Sequence, residues 1–222
     1  MAEDMTHWLA CGRPSRILRM GLYVDVVPLL PNHAQQLFDA SKNADSDAKF
    51  TWLAEFPPTT LGDFRTWVDT VVKSKDPIFY AVIDKETGKV AGRQTLMRID
   101  EANGSVEIGN IYWGPLIARQ RGATEAFFLA AEYVFDDLGY RRFEWKCNNE
   151  NLPSKVAATR FGFQHEGVFR QHMIVKGFNR DTAWFSMTDK DWPALRTTFQ
   201  AWLDPSNFDS EGIQKKRLKD FS

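Results

Sequence analysis

Three extended runs joined by two tight-turn signals constrain this chain more than any other feature. Phe79 to Ile83 is the first run, Val90 to Ile99 the second and Ser105 to Trp113 the third. Lys85-Glu86-Thr87-Gly88 separates the first two, and Glu101-Ala102-Asn103-Gly104 the second and third. Asn-Gly supplies the positive φ angles that a short hairpin turn demands. The segment is therefore a β-meander. Beyond Pro115 the period changes: in TEAFFLAAEYVFDDLG, residues Phe127, Phe128, Ala131, Val134, Phe135 and Leu138 form one broad apolar helical face, and Gly139 stops it. RRFEWKCN then reads as a strand, NLPSKVAATRFG as a short helix closed by Gly162, and FQHEGVFRQHMIVKG as a further extended stretch. A turn at Phe178-Asn179-Arg180 leads into a last strand, DTAWFSMT. A strand–helix–strand unit after a meander means a mixed sheet with helices on its faces, an α/β (α+β) class.

Upstream, LYVDVVPLL reads as a strand and about His33 to Ser41 as a helix. Asn43 to Asp47 is loop-like. Thr59 or Thr60 is placed to cap a helix through Phe64, Trp67, Val68, Val71 and Val72. Downstream, DWPALRTTFQAWL is a helix with Asp191 as cap and Pro193 in its first turn. Residues 1–20 read as an irregular leader, and residues 205–222 as a polar tail expected to fray.

Bulk properties exclude several classes. The net charge is −1, and the basic run Lys215-Lys216-Arg217 is too short to be a nucleic-acid footprint. No stretch reaches the ~20 apolar residues of a membrane span, and the first residues lack the apolar core of a signal peptide. Cys11 and Cys147 have no spacing that asks for a disulfide, which fits a reducing compartment and a cytoplasmic protein. No His, Cys and Asp spacing suggests a metal.

The junction between the third run and the long helix carries the chemistry. A loop bearing Arg119, Gln120, Arg121 and Gly122 precedes the helix opening Thr124-Glu125-Ala126. Helix N-termini hold unpaired N–H groups and a positive dipole end, so such a turn suits a pyrophosphate.

Three segments, VEIGNIYWGPLIARQRGATEA, FDDLGYRRFEWKCNNENLPSKVAATRFGFQHEG and RQHMIVKGFNRDTAWFSM, resemble the GNAT N-acetyltransferase superfamily. The branch they resemble contains the ribosomal-protein alanine/serine N-acetyltransferases. TEA, LGYRR, N-x-x-S and GF-x-x-EG occur in the family's order. The resemblance implies an acyl-CoA N-acyltransferase fold over residues 21–204. It implies a mostly antiparallel sheet of six to seven strands with helices on both faces. It also implies direct transfer of an acetyl group from acetyl-CoA, without a metal, to a primary amine on a protein N-terminus, a peptide or a small molecule. A homodimer is compatible with it. A non-catalytic acyl-CoA sensor is the alternative, motivated by a loop that departs from the family signature. With TEA aligned, Ala118, Arg121 and Ala123 fall on the three signature places; a shifted register uses Arg119, Gly122 and Thr124.

Carried over residue by residue, the resemblance implies cofactor contacts at Ile111, Trp113, Arg119, Arg121, Gly122, Ala123, Thr124 and Asn151. Ser154 falls where the family protonates the departing thiolate; both it and Asn151 also fit the first turn of a helix, with Asn151 as its cap. Glu107 falls on the place of a glutamate facing the acceptor, and a carboxylate there can take the amine's proton; a structural ion pair is the other reading. Tyr112 and His172 are candidate substrate contacts, His172 also a base, although core packing for the tyrosine and a merely exposed histidine fit as well. No covalent enzyme intermediate is implied, so Cys147 is expected to be dispensable.

Overall fold

The computed structural model describes residues 4–43 and 46–221. The strands are β1 (Arg19–Met20), β2 (Val24–Pro28), β3 (Ile78–Asp84), β4 (Lys89–Asp100), β5 (Ser105–Trp113), β6 (Arg142–Asn148), β7 (Gln164–Val175) and β8 (Phe178–Thr188). The helices are α1 (Ala34–Ala40), α2 (Ser46–Phe50), α3 (Leu61–Val71), α4 (Arg121–Glu132), α5 (Leu152–Arg160) and α6 (Trp192–Leu203). All these strands form one sheet of order β1-β2-β3-β4-β5-β6-β8-β7, antiparallel except for the parallel pair β5–β6.

The sheet has eight strands where six to seven are expected. The additional pairing is at the N-terminal edge: Arg19 pairs with Val26 and Met20 with Asp25, so the end of the expected leader belongs to the sheet. Gly21 to Tyr23 make the turn into β2. The backbone N–H groups of Leu22, Tyr23 and Val24 all donate to the carboxylate of Glu125 on α4. A Cβ at Gly21 would lie 2.5 Å from that carboxyl group, so only glycine fits there. Residues 4–18 have no strand or helix, but Trp8 donates to the Ala102 carbonyl and Tyr80 to that of Ser15.

The meander falls where its turn signals put it. Thr60 caps α3, accepting from the Asp63 N–H. The expected loop Asn43 to Asp47 is shorter, because α2 starts at Ser46; residues 44 and 45 lie outside the described residues. The β7–β8 turn also differs. It is Lys176-Gly177, both at positive φ, and Phe178 already pairs with Val175. Two residues at positive φ match the twist of a hairpin, and Phe178-Asn179-Arg180 instead open β8.

Two apolar layers flank the sheet. On one face α1 and α3 bury Leu37, Phe64 and Val68 against Phe79, Ala81 and Val90. On the other, α4 is buried on every side from Gly122 to Ala131, because α6 covers what the sheet does not. Phe127 is the hub, with its ring 4.4 Å from Phe161 and 5.5 Å from both Phe163 and Phe199. The C-terminal residues do not fray. Phe208 and Leu218 are buried, and Asn207 donates to the Trp202 carbonyl while accepting from the Lys216 N–H. Two apolar anchors and one amide hub hold a segment whose composition is otherwise polar. No described helix is long and apolar enough to cross a membrane.

Candidate active site

The sheet opens in its middle. β5 and β6 pair from Ser105↔Arg142 to Ile108↔Trp145 and then part. β6 continues against β8 as far as Asn148↔Thr182, while β5 continues against β4 as far as Trp113↔Gly92. The departure coincides with a register shift in β5, where Asn110 has a φ of 48°. Arg93 donates to the Asn110 carbonyl at 2.9 Å and forms an ion pair with Glu55. It is 2% exposed, and burial pulls its pKa down to about 9. The wedge thus has the β6-facing edge of β5 from Gly109 to Trp113 on one side, unpaired along that edge, and Lys146 to Asn148 on the other.

The N-terminus of α4 closes one end of this wedge. Gly114 ties the loop back through its N–H to the Ala91 carbonyl, and Arg119 turns it at a φ of 63°. The cap residue Gln120 gives no side-chain hydrogen bond to the first-turn N–H groups, those of Arg121, Gly122 and Ala123, and among the described residues no other side chain caps them. That is an anion site in backbone form. The glycine in it answers to packing: a Cβ at Gly122 would come within 2.9 Å of Ile117 and 3.0 Å of Val24. Arg121 is engaged elsewhere, its guanidinium 4.2 Å from the Tyr23 ring and 5.3 Å from that of Phe208.

Sequence reasoning missed the cation that does stand at the helix start. Arg160, at the end of α5, donates to the Thr124 hydroxyl at 3.0 Å and stacks on Trp202 at 5.0 Å. Burial lowers its pKa, and among the described residues it has no carboxylate partner. The signal is its place in ATRFG, a basic residue in the last turn before a helix-stopping glycine.

Asn151 is the cap of α5, its side chain accepting the Ser154 N–H at 3.2 Å. The Ser154 hydroxyl accepts the Trp145 indole N–H at 2.9 Å, which turns it toward β6 and leaves its own proton for a second partner. Cys147 lies beside it: burial raises the thiol's pKa, and the Ser154 hydroxyl partly counters that. Trp113 faces the same side, donating to Gln94 and meeting Phe161 edge to face.

The opposite side of the wedge is charged and covered. Glu107 does face away from Val106 and Ile108, but it is 3% exposed and bound in ion pairs. Arg98 reaches it at 2.5 Å and Lys146 at 3.2 Å; Lys146 also reaches Glu144 at 2.6 Å and lies 3.7 Å from the Trp184 ring centre. Tyr112 is on this face, buried beneath Phe50 with its hydroxyl donating to the Ala40 carbonyl. His172 is exposed at the rim. Its Nδ1 pairs with the Thr182 hydroxyl at 3.0 Å, leaving Nε2 open. Burial first, then the charges of Arg180, Arg98 and Lys146, lower its pKa. The β7–β8 turn reaches over this side, Lys176 donating to the Phe50 carbonyl at 2.7 Å. No group of His, Cys, Asp or Glu among the described residues is arranged to hold a metal.

The chain and its fold are similar to those of known proteins. The family profile described as acetyltransferase (GNAT) domain matches residues 25–164. A GCN5-related N-acetyltransferase from Brucella melitensis is 59% identical, superposes with a TM-score of 0.95, and is matched over 97% of this chain and 98% of that one. The uncharacterised N-acetyltransferase p20 of Bacillus licheniformis is 32% identical over 51% of this chain and 63% of its own length. YdaF of Bacillus subtilis (strain 168), provisionally named a ribosomal N-acetyltransferase, is 28% identical over 47% of this chain and 57% of its own. The match therefore spans about three fifths of these curated relatives. With the profile matched over residues 25–164 and the Brucella relative alike along nearly its whole length, this chain belongs to the GNAT acetyltransferase family.

Proposed function

We propose that the protein transfers an acetyl group from acetyl-CoA to a primary amine, in one complex holding both substrates. The observation that carries this reading is the uncapped α4 start at the open wedge between β5 and β6. First-turn N–H groups of Arg121, Gly122 and Ala123 suit a pyrophosphate, Arg160 beside Thr124 adds positive charge, and Asn151 stands at the adjoining helix start. Backbone N–H groups of β5 from Ile111 to Trp113 suit a thioester carbonyl. Acetyl-CoA supplies an activated acyl group whose sulfur leaves as a thiolate.

The chain's own residues then manage two protons. The attacking amine must be neutral, and a proton must leave its nitrogen as the C–N bond forms and the C–S bond breaks. His172 takes that proton at Nε2, since its surroundings favour the neutral ring and Thr182 fixes Nδ1. Glu107, read from sequence as the base, is committed to Arg98 and Lys146 and so holds the acceptor side in shape. Ser154 gives its hydroxyl proton to the departing sulfur and takes one from solvent in turn, with the Trp145 N–H steadying its oxygen. The free state of Cys11 and Cys147 fits a reducing cytoplasm.

Titration calorimetry with acetyl-CoA, followed by measurement of CoA release across a panel of primary amines, tests this. Micromolar binding and amine-dependent release are expected. Binding without release by any amine would leave an acyl-CoA sensor, and absence of binding would sink the transferase reading.

A further inference from the structure

The acceptor side of the wedge carries one cation that, among the described residues, makes no ion pair. Its cations are Arg98, Arg142, Lys146 and Arg180, and its carboxylates are Glu107, Glu144 and Glu166. Arg98 and Lys146 share Glu107, Lys146 and Arg142 share Glu144, and Arg142 reaches Glu166 at 2.5 Å. Arg180 pairs with none of them. Its Nε is buried and has no acceptor, and the indole Nε1 of Trp184, on the same face of β8, is in the same condition. Buried donors without acceptors are rare in folded proteins and call for an explanation.

The position of Arg180 supplies one. The last β8 residue paired with β6 is Thr182, opposite Asn148, so Arg180 lies on the part of β8 that overhangs the open end of the wedge. Glu107, Cys147 and Arg98 are within its electrostatic reach, and it and Lys146 both act on His172. A desolvated guanidinium without an anion is costly, and a planar fork of donors matches an oxyanion in a bidentate way.

We propose that the acceptor carries an oxyanion group near its amine, a carboxylate or a phosphate, and that Arg180 recognises it with the Trp184 indole N–H as second donor. This rests on the acetyl-transfer reading and narrows its substrate class: a small amine with an anionic neighbour is favoured, and a polyamine is repelled by the unpaired positive charge.

Acceptors that differ only in the anion test the proposal. Alanine against alaninamide, and phosphoethanolamine against ethanolamine, are compared by kcat/KM in the wild type, Arg180→Met and Arg180→Lys. The wild type should prefer the anionic member of at least one pair by about ten- to a hundredfold, the range of one charge-assisted bond. Which pair shows it tells carboxylate from phosphate. Arg180→Met should erase the preference and Arg180→Lys restore part of it, whereas a merely structural role would lower both members of a pair alike. Equal use of both members, or preference for the neutral ones, overturns the proposal while leaving acetyl transfer intact. Should no amine be turned over, the indole N–H resonance of Trp184, assigned by Trp184→Phe, still decides. It should move on titration with N-acetylalanine or O-phosphoethanolamine, not with N-acetylalaninamide or ethanolamine, and not in Arg180→Met. A resonance that stays still, or moves equally with the neutral probes, overturns it.

Discussion

The indole N–H of Trp145 donates to the Ser154 hydroxyl at 2.9 Å, across the interface between β6 and the first turn of α5. That bond fixes the direction in which the serine can give its own proton. Ser154→Ala should therefore lower kcat by about ten- to a hundredfold, within the range of one general acid. Acetyl-CoA affinity should change little, since the hydroxyl acts on the departing sulfur. The variant also strands a buried indole N–H, which costs about 1–3 kcal/mol of stability. Steady-state kinetics and chemical denaturation separate the two effects. A kcat equal to the wild type would remove Ser154 from the proton path.

The proton on the acceptor side is read by pH. His172 has a pKa held below its ordinary value by burial and by Arg180, Arg98 and Lys146. A base works in its neutral form, so the limb that it contributes to kcat/KM should lie on the acid side of that of an ordinary histidine. His172→Gln should remove this acid-side limb and leave the limb of the acceptor's own amine. Acetyl-CoA binding should be unaltered. Persistence of the acid-side limb in the variant would return the role to Glu107.

Phosphate affinity should follow Arg160 more than Arg121. Arg160 donates to Thr124 in the first turn of α4, whereas Arg121 is stacked between Tyr23 and Phe208. Arg160→Met should weaken acetyl-CoA binding by about tenfold or more, the size of one charge-assisted contact. Arg121→Met should weaken it less and instead loosen the C-terminal segment, seen as faster amide exchange around Phe208. Calorimetry that ranked the two arginines the other way would place the pyrophosphate nearer the loop.

These contrasts mark what a sequence can carry. Periodicity and turn residues are local, so the meander, the α3 cap at Thr60 and the α5 cap at Asn151 are legible in it. The order of family motifs points to the parting of β5 from β6. Alternation puts Glu107 on the correct face, but its burial depends on Arg98 and Lys146, which come from other strands. Arg160 escapes notice for the same reason, and Arg180 reads only as part of a turn: a lone arginine acquires meaning only from what surrounds it in space. The C-terminal segment reads as frayed because two anchors, Phe208 and Leu218, weigh little in a polar run. Lys176-Gly177 lacks the Asn or Asp that usually marks its type of hairpin turn.

Acid stability should depend on one pair at the rim. Arg142 beside Glu166, and secondarily the Ser186 hydroxyl, hold the Glu166 carboxyl down to about 2, from an ordinary 4.5. A carboxyl depressed in the folded state binds fewer protons there than in the unfolded chain. Its contribution to stability is therefore full above about pH 4.5 and is lost as the pH falls toward 2. Glu166→Gln should lower stability in the neutral region, modestly because the glutamate is partly exposed and solvent screens the pair, and the two curves should converge as the pH falls toward 2. Denaturant midpoints measured in steps from about pH 7 down to about 2.5 decide it. Superimposed curves for the two proteins would mean that the pair, though short, adds nothing to folding. A variant weaker by the same amount at every pH would instead point to the rest of the chain of contacts through Arg142 and Glu144, and from there to Lys146 and Glu107.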